Sequence, residues 1–135
     1  MKIEVFALCD AATDNRGKLN LLGTFDQIYA RKLPVVHPAC AIALRIRFDK
    51  MEEGAHAVQL QWVNSDGIPV FQSMAGEVKP RMGTGIGSVA VNLILNFQHV
   101  KFDEFADYQI NLKIDEIAMA SLPLRVCKMP RVEVA

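Results

Sequence analysis

No apolar run in this chain is long enough to cross a bilayer. Arg45, Arg47, Asn92 and Asn96 interrupt its most hydrophobic stretches, short of the roughly 18 residues a spanning helix needs. Cysteine is scarce: Cys9, Cys40 and Cys127 are odd in number and contain no C-x-x-C pair, which excludes a disulfide framework and a zinc ribbon. Neither sign of charge predominates, with 15 Lys+Arg against 15 Asp+Glu, so nothing electrostatic draws the chain to DNA, RNA or an anionic membrane. The first ten residues lack an export h-region, because Glu4 breaks the apolar stretch. A soluble, cytoplasmic protein with reduced thiols and no nucleic-acid or membrane partner is expected. Disorder is also excluded, since 51% of the chain is hydrophobic and only 22% charged. The 135 residues suit one domain, 1–135, ending in a short tail, 128–135, with a core that needs no metal or disulfide.

What is present is alternation. Val89, Val91, Leu93, Leu95 and Phe97 alternate with Ala90, Asn92, Ile94, Asn96 and Gln98, the period-two signature of a half-buried strand. Ile42 to Phe48, Val58 to Val63, Tyr108 to Ile114 and Ala118 to Val126 repeat it. Pro123 lies on the opposite parity of the last run, which places it at an edge or a bulge because it has no N–H to donate. The first run is apolar on both faces, Ile3, Val5, Ala7 and Cys9 on one and Phe6 and Leu8 on the other. Such a strand lies under a loop or in a subunit contact, and the second reading motivates a homo-oligomer or a protein partner.

Turn signals separate these runs: Asp14-Asn15-Arg16-Gly17, Asn64-Ser65-Asp66-Gly67 and Asp115-Glu116. Tight turns join antiparallel neighbours. Two longer connections, Arg31 to Pro38 and Lys79 to Gly87, carry prolines or glycines and are read as passages between sheets. Tyr108, after Phe105-Ala106-Asp107, has the setting of a tyrosine that bonds back to upstream backbone. The expected fold is all-β: an antiparallel two-sheet β-sandwich of roughly nine strands with little or no helix.

Candidate chemistry is sparse. Lys79 to Gly87 places Lys79 and Arg81 beside a G-x-G-x-G stretch; backbone N–H groups and bases suit an anion, but a strand rather than a helix follows, unlike a phosphate-binding loop. Arg45 and Arg47 share one strand face and, with Gln59, Gln61, Asn92, Asn96, Asn111 and Lys113, make a polar surface for a ligand or partner. Arg45, Arg47, Lys79 and Arg81 are therefore the candidate binding residues. His37, His56 and His99 are candidate metal ligands with Cys40 or nearby carboxylates, but only His37 and Cys40 stand three apart and no second pair completes the set; Cys9 beside Asp10 has its thiol pKa raised, which works against a nucleophile. No catalytic residue, metal or cofactor is assigned.

Ala7-Leu8-Cys9-Asp10-Ala11-Ala12, Gly17 to Asp26, Val36-His37-Pro38, Leu44 to Phe48, Val91 to Asn96 and Ala120 to Val126 resemble the signatures of an uncharacterised family of short bacterial proteins, a domain of unknown function. The resemblance covers most of the chain. It implies a bacterial origin and an all-β fold and brings no activity or site residues. The expected function is a non-catalytic binding or assembly module. The alternative is a small hydrolase or metal-dependent enzyme whose site gathers distant residues such as Asp10, Asp26, His37 and His99.

Overall fold

The computed structural model describes residues 1–130. Nine strands follow in order: β1 (Lys2–Asn15), β2 (Lys18–Thr24), β3 (Gln27–Ala30), β4 (Val35–Asp49), β5 (His56–Asn64), β6 (Met74–Val78), β7 (Ser88–Phe102), β8 (Asp107–Ile114) and β9 (Ile117–Lys128). A single 3₁₀ turn, Lys50–Glu52, sits between β4 and β5. Asp49 caps it: its carboxylate accepts from Met51 N–H while the Glu52 carboxylate accepts from Asp49 N–H. No helix among the described residues is long and apolar enough to cross a membrane.

The strands form two sheets, a four-stranded one in the order β2-β1-β4-β7 and a five-stranded one in the order β3-β9-β8-β5-β6. The expectation of fully antiparallel pairing fails at one place, because β3 runs parallel to β9, Gln27 to Ala30 against Arg125 to Lys128. The tight-turn argument applies only to strands adjacent in sequence. Between β3 and β9 lies most of the chain, ample for the crossover that parallel pairing requires. The two long connections do pass between sheets, β3 to β4 and β6 to β7. The second half of the first is itself strand, since β4 begins at Val35. Of the expected tail, Lys128 closes β9 and Met129 N–H donates to Ala30 O at 2.8 Å; residues 131–135 lie outside the described residues.

One core cluster draws on both sheets. Ile42, Leu44, Ile46 and Phe48 of β4 and Leu60, Ile110 and Leu112 across β5 and β8 are all wholly buried. Trp62 closes one end among Phe97, Phe71 and Phe102, with ring centroids 5.1, 6.2 and 6.3 Å away. Tyr108 packs edge-on to Phe102 and donates its hydroxyl to Glu104 O at 3.1 Å, the back-bond its sequence setting suggests.

Alternation slips where the ladder does. A bulge opposite Lys113 and Leu112 moves Ala118 to the outer face, so it does not continue the inward row of Ala120, Leu122 and Leu124. On β7 the inward row passes from Phe97 to Val100 and Phe102 through His99, whose φ is +55°. Pro123 lies inside the sheet order but at a local edge. Arg125 N–H points to Asp26 O, so the proline nitrogen two residues earlier points the same way, before the β3 ladder starts. The turns Arg16-Gly17 and Asp115-Glu116 have positive φ at both positions, matching the right-handed twist of the strands they join. Leu93, on the apolar row of the β7 alternation, is only half-buried, because β7 is an edge strand with no neighbour beyond it.

Candidate functional site

The outer face of the four-stranded sheet carries Ala41, Ala43, Arg45 and Arg47 of β4. Half of it is sealed: Cys9, Ala41 and Ala43 are 0% exposed, covered by Ala12 and Leu19. The cover is the end of the β1–β2 hairpin. In sheet order this hairpin is on the far side of β4 from β7, yet Gly17 O at its tip accepts from Arg45 Nη1 at 3.2 Å and from Asn92 Nδ2 at 3.1 Å. Asn92 Nδ2 also donates to Asp14 Oδ2 at 2.9 Å. Only an arm folded back across the sheet meets both strands. Of the outer row of the doubly apolar first strand, Cys9 thus lies under the strand's own hairpin, while Val5 and Ala7 stay half-buried.

Glu4 completes the clamp. A register break between Ile3 and Val5 turns its carboxylate onto the arginine face, where Oε2 accepts from Arg47 Nε at 2.8 Å and Oε1 from Arg45 Nε at 3.0 Å. Its pKa is lowered, chiefly by the Arg47 hydrogen bond and further by Arg45; Asp14 is lowered by the Asn92 bond and then by Gly17 N–H. Arg47 Nη1 donates to Ser88 Oγ and Arg45 Nη1 to Asn92 Oδ1, so both arginines hold intramolecular acceptors. Lys79 pairs with Glu77 at 3.3 Å, and Arg81 is exposed on the β6–β7 loop. That loop is anchored by an acid: Glu53 Oε1 accepts from Met82 N–H at 2.8 Å and Lys50 Nζ at 2.9 Å.

The five-stranded sheet has no such cover. Its outer face presents Gln59 and Gln61 of β5, Gln109, Asn111 and Lys113 of β8, and Ser121 of β9. Across it runs a groove of about 610 Å³. Its floor is Gln109, Asn111, Pro123 and Arg125, and its walls are the Asn64–Gly67 turn on one side and Asp26 with Gln27 on the other. The turn is rigid, since Asn64 Oδ1 accepts from both Asp66 N–H and Ile68 N–H. Arg125 Nε donates to Asp107 Oδ1 at 2.8 Å, and Ser121 Oγ to Asn111 Oδ1 at 2.9 Å. The result is a mixed surface of carboxamides, one proline and one ion pair.

Of the four distant residues of the enzyme reading, Asp10 and His37 meet in a pocket of about 380 Å³ with Gln27 and Tyr29. Asp26 lines the larger groove and not this pocket, and His99 sits at the β7 kink. His37 leans on Phe25 at 5.4 Å, and its Nε2 is buried without a hydrogen-bond partner among the described residues. Burial, with Cys9 and Asp10 nearby, pushes the Cys40 thiol to about 11, far from a nucleophile's range. Cys9 is raised first by burial and second by Asp10. No group of three or more His, Cys, Asp or Glu residues disposed to hold a metal occurs among the described residues.

His56, a candidate metal ligand by residue type alone, takes a structural place instead. It stacks on Phe48 at 4.8 Å, with Nδ1 2.6 Å from Asp115 Oδ2 and Nε2 2.6 Å from Glu52 O. Two acceptors facing both ring nitrogens suit the imidazolium, and its pKa is raised, first by Glu52 O and then by the Asp115 bond. Asp115 Oδ1 also receives Ala57 N–H at 3.0 Å, so the histidine ties the start of β5 to the β8–β9 turn.

No curated protein and no solved structure matches the chain. A family does, as the sequence resemblance implied. Residues 4–127 match a family of unknown function (DUF6941), and the chain belongs to that family.

Proposed function

We propose that the protein is a non-catalytic binding module, a two-sheet sandwich that takes a neutral, hydroxyl-bearing ligand on the outer face of its five-stranded sheet. The observation that carries this is the groove of about 610 Å³, open on that face while the hairpin arm closes half of the other. Carboxamides both donate and accept, and Gln109 and Asn111 project side by side in register from one strand face. A few polar groups converging on a preformed concavity are the ordinary composition of a small-molecule site. The shared core cluster supports the sandwich, and three free thiols fit a reducing compartment such as a bacterial cytoplasm. Arg45 then holds the arm through Gly17 O and Arg47 holds the start of β1 through Glu4, leaving Lys79 and Arg81 as the basic candidates on the loop.

Calorimetric titration with a panel of neutral oligosaccharides tests the reading. Binding of at least one, weakened about tenfold or more in Asn111→Ala with the melting temperature kept, is expected, since a lost hydrogen bond and an orphaned partner are together worth about 1.4 kcal/mol. No heat from any member of the panel would refute it. A second reading, a small hydrolase or metal-dependent enzyme, is favoured by Asp10 and His37 lining one pocket, with the buried His37 Nε2 left without a hydrogen-bond partner among the described residues. Native mass spectrometry that finds one metal per chain would replace the first reading with the second.

A further inference from the structure

We propose that β7 pairs antiparallel with the β7 of a second copy of this chain, joining the two four-stranded sheets into one. The sheets have four edge strands, and three are short or broken. β3 has four residues and β6 five; β2 has seven and is bent at Gly23, φ +67°. β7 is 15 residues long and pairs with β4 alone. From Ser88 to Gln98 it carries no formal charge and no proline, so that stretch lacks the lysines, prolines and inward charges that normally keep long edges apart; Lys101 stands beyond the His99 kink.

Burial along the sheet shows the missing neighbour. Phe48, Ile46, Leu44 and Ile42 of β4 are 0% exposed. Their ladder partners Val89, Val91, Leu93 and Leu95 of β7 are only half-buried, although Val91, Leu93 and Leu95 pack against the same core. A strand laid on the free side would finish the burial. It must offer apolar residues inward at period two and uncharged residues outward, with no charge opposite the uncharged stretch. β7 is such a strand. About a two-fold at Asn92, Val91 meets the partner's Leu93 and Val89 the partner's Leu95 inside, while Ala90 meets the partner's Ile94 and Ser88 the partner's Asn96 outside.

That register gives the test. Ser88 and Asn96 are exposed in the single chain and directly opposed in the pair, so Ser88→Lys/Asn96→Lys sets two like-charge pairs across the joint, and Ser88→Glu/Asn96→Lys sets two opposite-charge pairs. Light scattering after size exclusion, at micromolar concentration, should give twice the 15.0 kDa chain mass for the native protein. The Lys/Lys variant should lose the dimer and run as a single chain, and the Glu/Lys variant should regain it. Circular dichroism checks folding, and Ser88→Glu/Asn96→Glu carries the same repulsion should the Lys/Lys variant not fold. A native protein that runs as a single chain, a dimer that survives like charges, or a Glu/Lys variant that stays a single chain would each overturn the proposal.

Discussion

Ala43→Leu puts the hairpin arm to a direct test. Ala43 is 0% exposed on the outer face, with Ala7 of β1 and Ile94 of β7 beside it and Ala12 and Leu19 over the cluster. A leucine there has no room while the arm is down. Overpacking of this kind costs about 1–3 kcal/mol, and lifting the arm relieves it without disturbing the inner core at Ile42 and Leu44. Since about 1.4 kcal/mol is a tenfold change in population, the open arm should become roughly 5- to 150-fold more populated. Cys9 reports the opening, because it is 0% exposed beneath the arm and its Sγ points to Ala41 O at 3.5 Å. Alkylation under native conditions, read by peptide mass spectrometry, should show Cys9 protected in the native protein and labelled faster in Ala43→Leu by that factor. Cys40, in the inner core, should stay protected in both. A folded Ala43→Leu protein with Cys9 labelled at the native rate would refute the arm as the cover.

Two further outcomes follow from the core and from His56. Leu112→Ala, at a wholly buried position between β5 and β9, should cost about 2–5 kcal/mol in chemical denaturation, and Leu93→Ala, half-buried at the edge, nearer 1 kcal/mol in the single chain; equal losses would mean that the β7 edge is covered in the single chain. The folded pKa of His56 is raised, so its stabilising contribution is complete below the ordinary histidine value near 6.5 and is lost as pH climbs through the raised value. The melting temperature should therefore fall on going from mildly acidic to alkaline pH more steeply in the native protein than in His56→Gln, and parallel curves would show that the two bonds to His56 contribute nothing.

Much of the fold was legible because alternation survives where a strand has one core face. Leu60, Ile110 and Leu112 were placed correctly, as were the turn at Asp115-Glu116 and the back-bond of Tyr108. Alternation misled where pairing carries an extra residue, at Ala118, and where a strand lacks a neighbour, at Leu93; neither local insertion nor edge position changes the residue pattern. The parallel β3–β9 pair was hidden because Gln27–Ala30 is too short to show a period and its partner lies about a hundred residues away. At the outer face, the doubly apolar first strand, Cys9 included, announced a cover without saying what it is, whereas Ala41 and Ala43 read as the wet side of a half-buried strand and are in fact sealed. The answer depends on Glu4 and Asp14 reaching Arg45, Arg47 and Asn92 over separations of 41 to 78 residues. Glu4, the one acid within the apolar stretch Ile3 to Cys9, was the available signal. The groove had a weaker one: Asn111 was read as polar surface, but on one face with Arg45 and Arg47, which the fold places on the other sheet, and Asp26, Gln27 and Asn64 join the groove only through the fold.

The central claim, that ligand binds the open outer face and not the arm-covered one, is tested most directly by amide chemical-shift mapping of the nitrogen-15-labelled protein titrated with neutral oligosaccharides. Shifts should concentrate at Gln27, Asn64, Ser65, Gln109, Asn111 and Arg125 and leave Ala43, Arg45 and Asn92 unmoved. Shifts centred on the arginine face, with the groove silent, would contradict it.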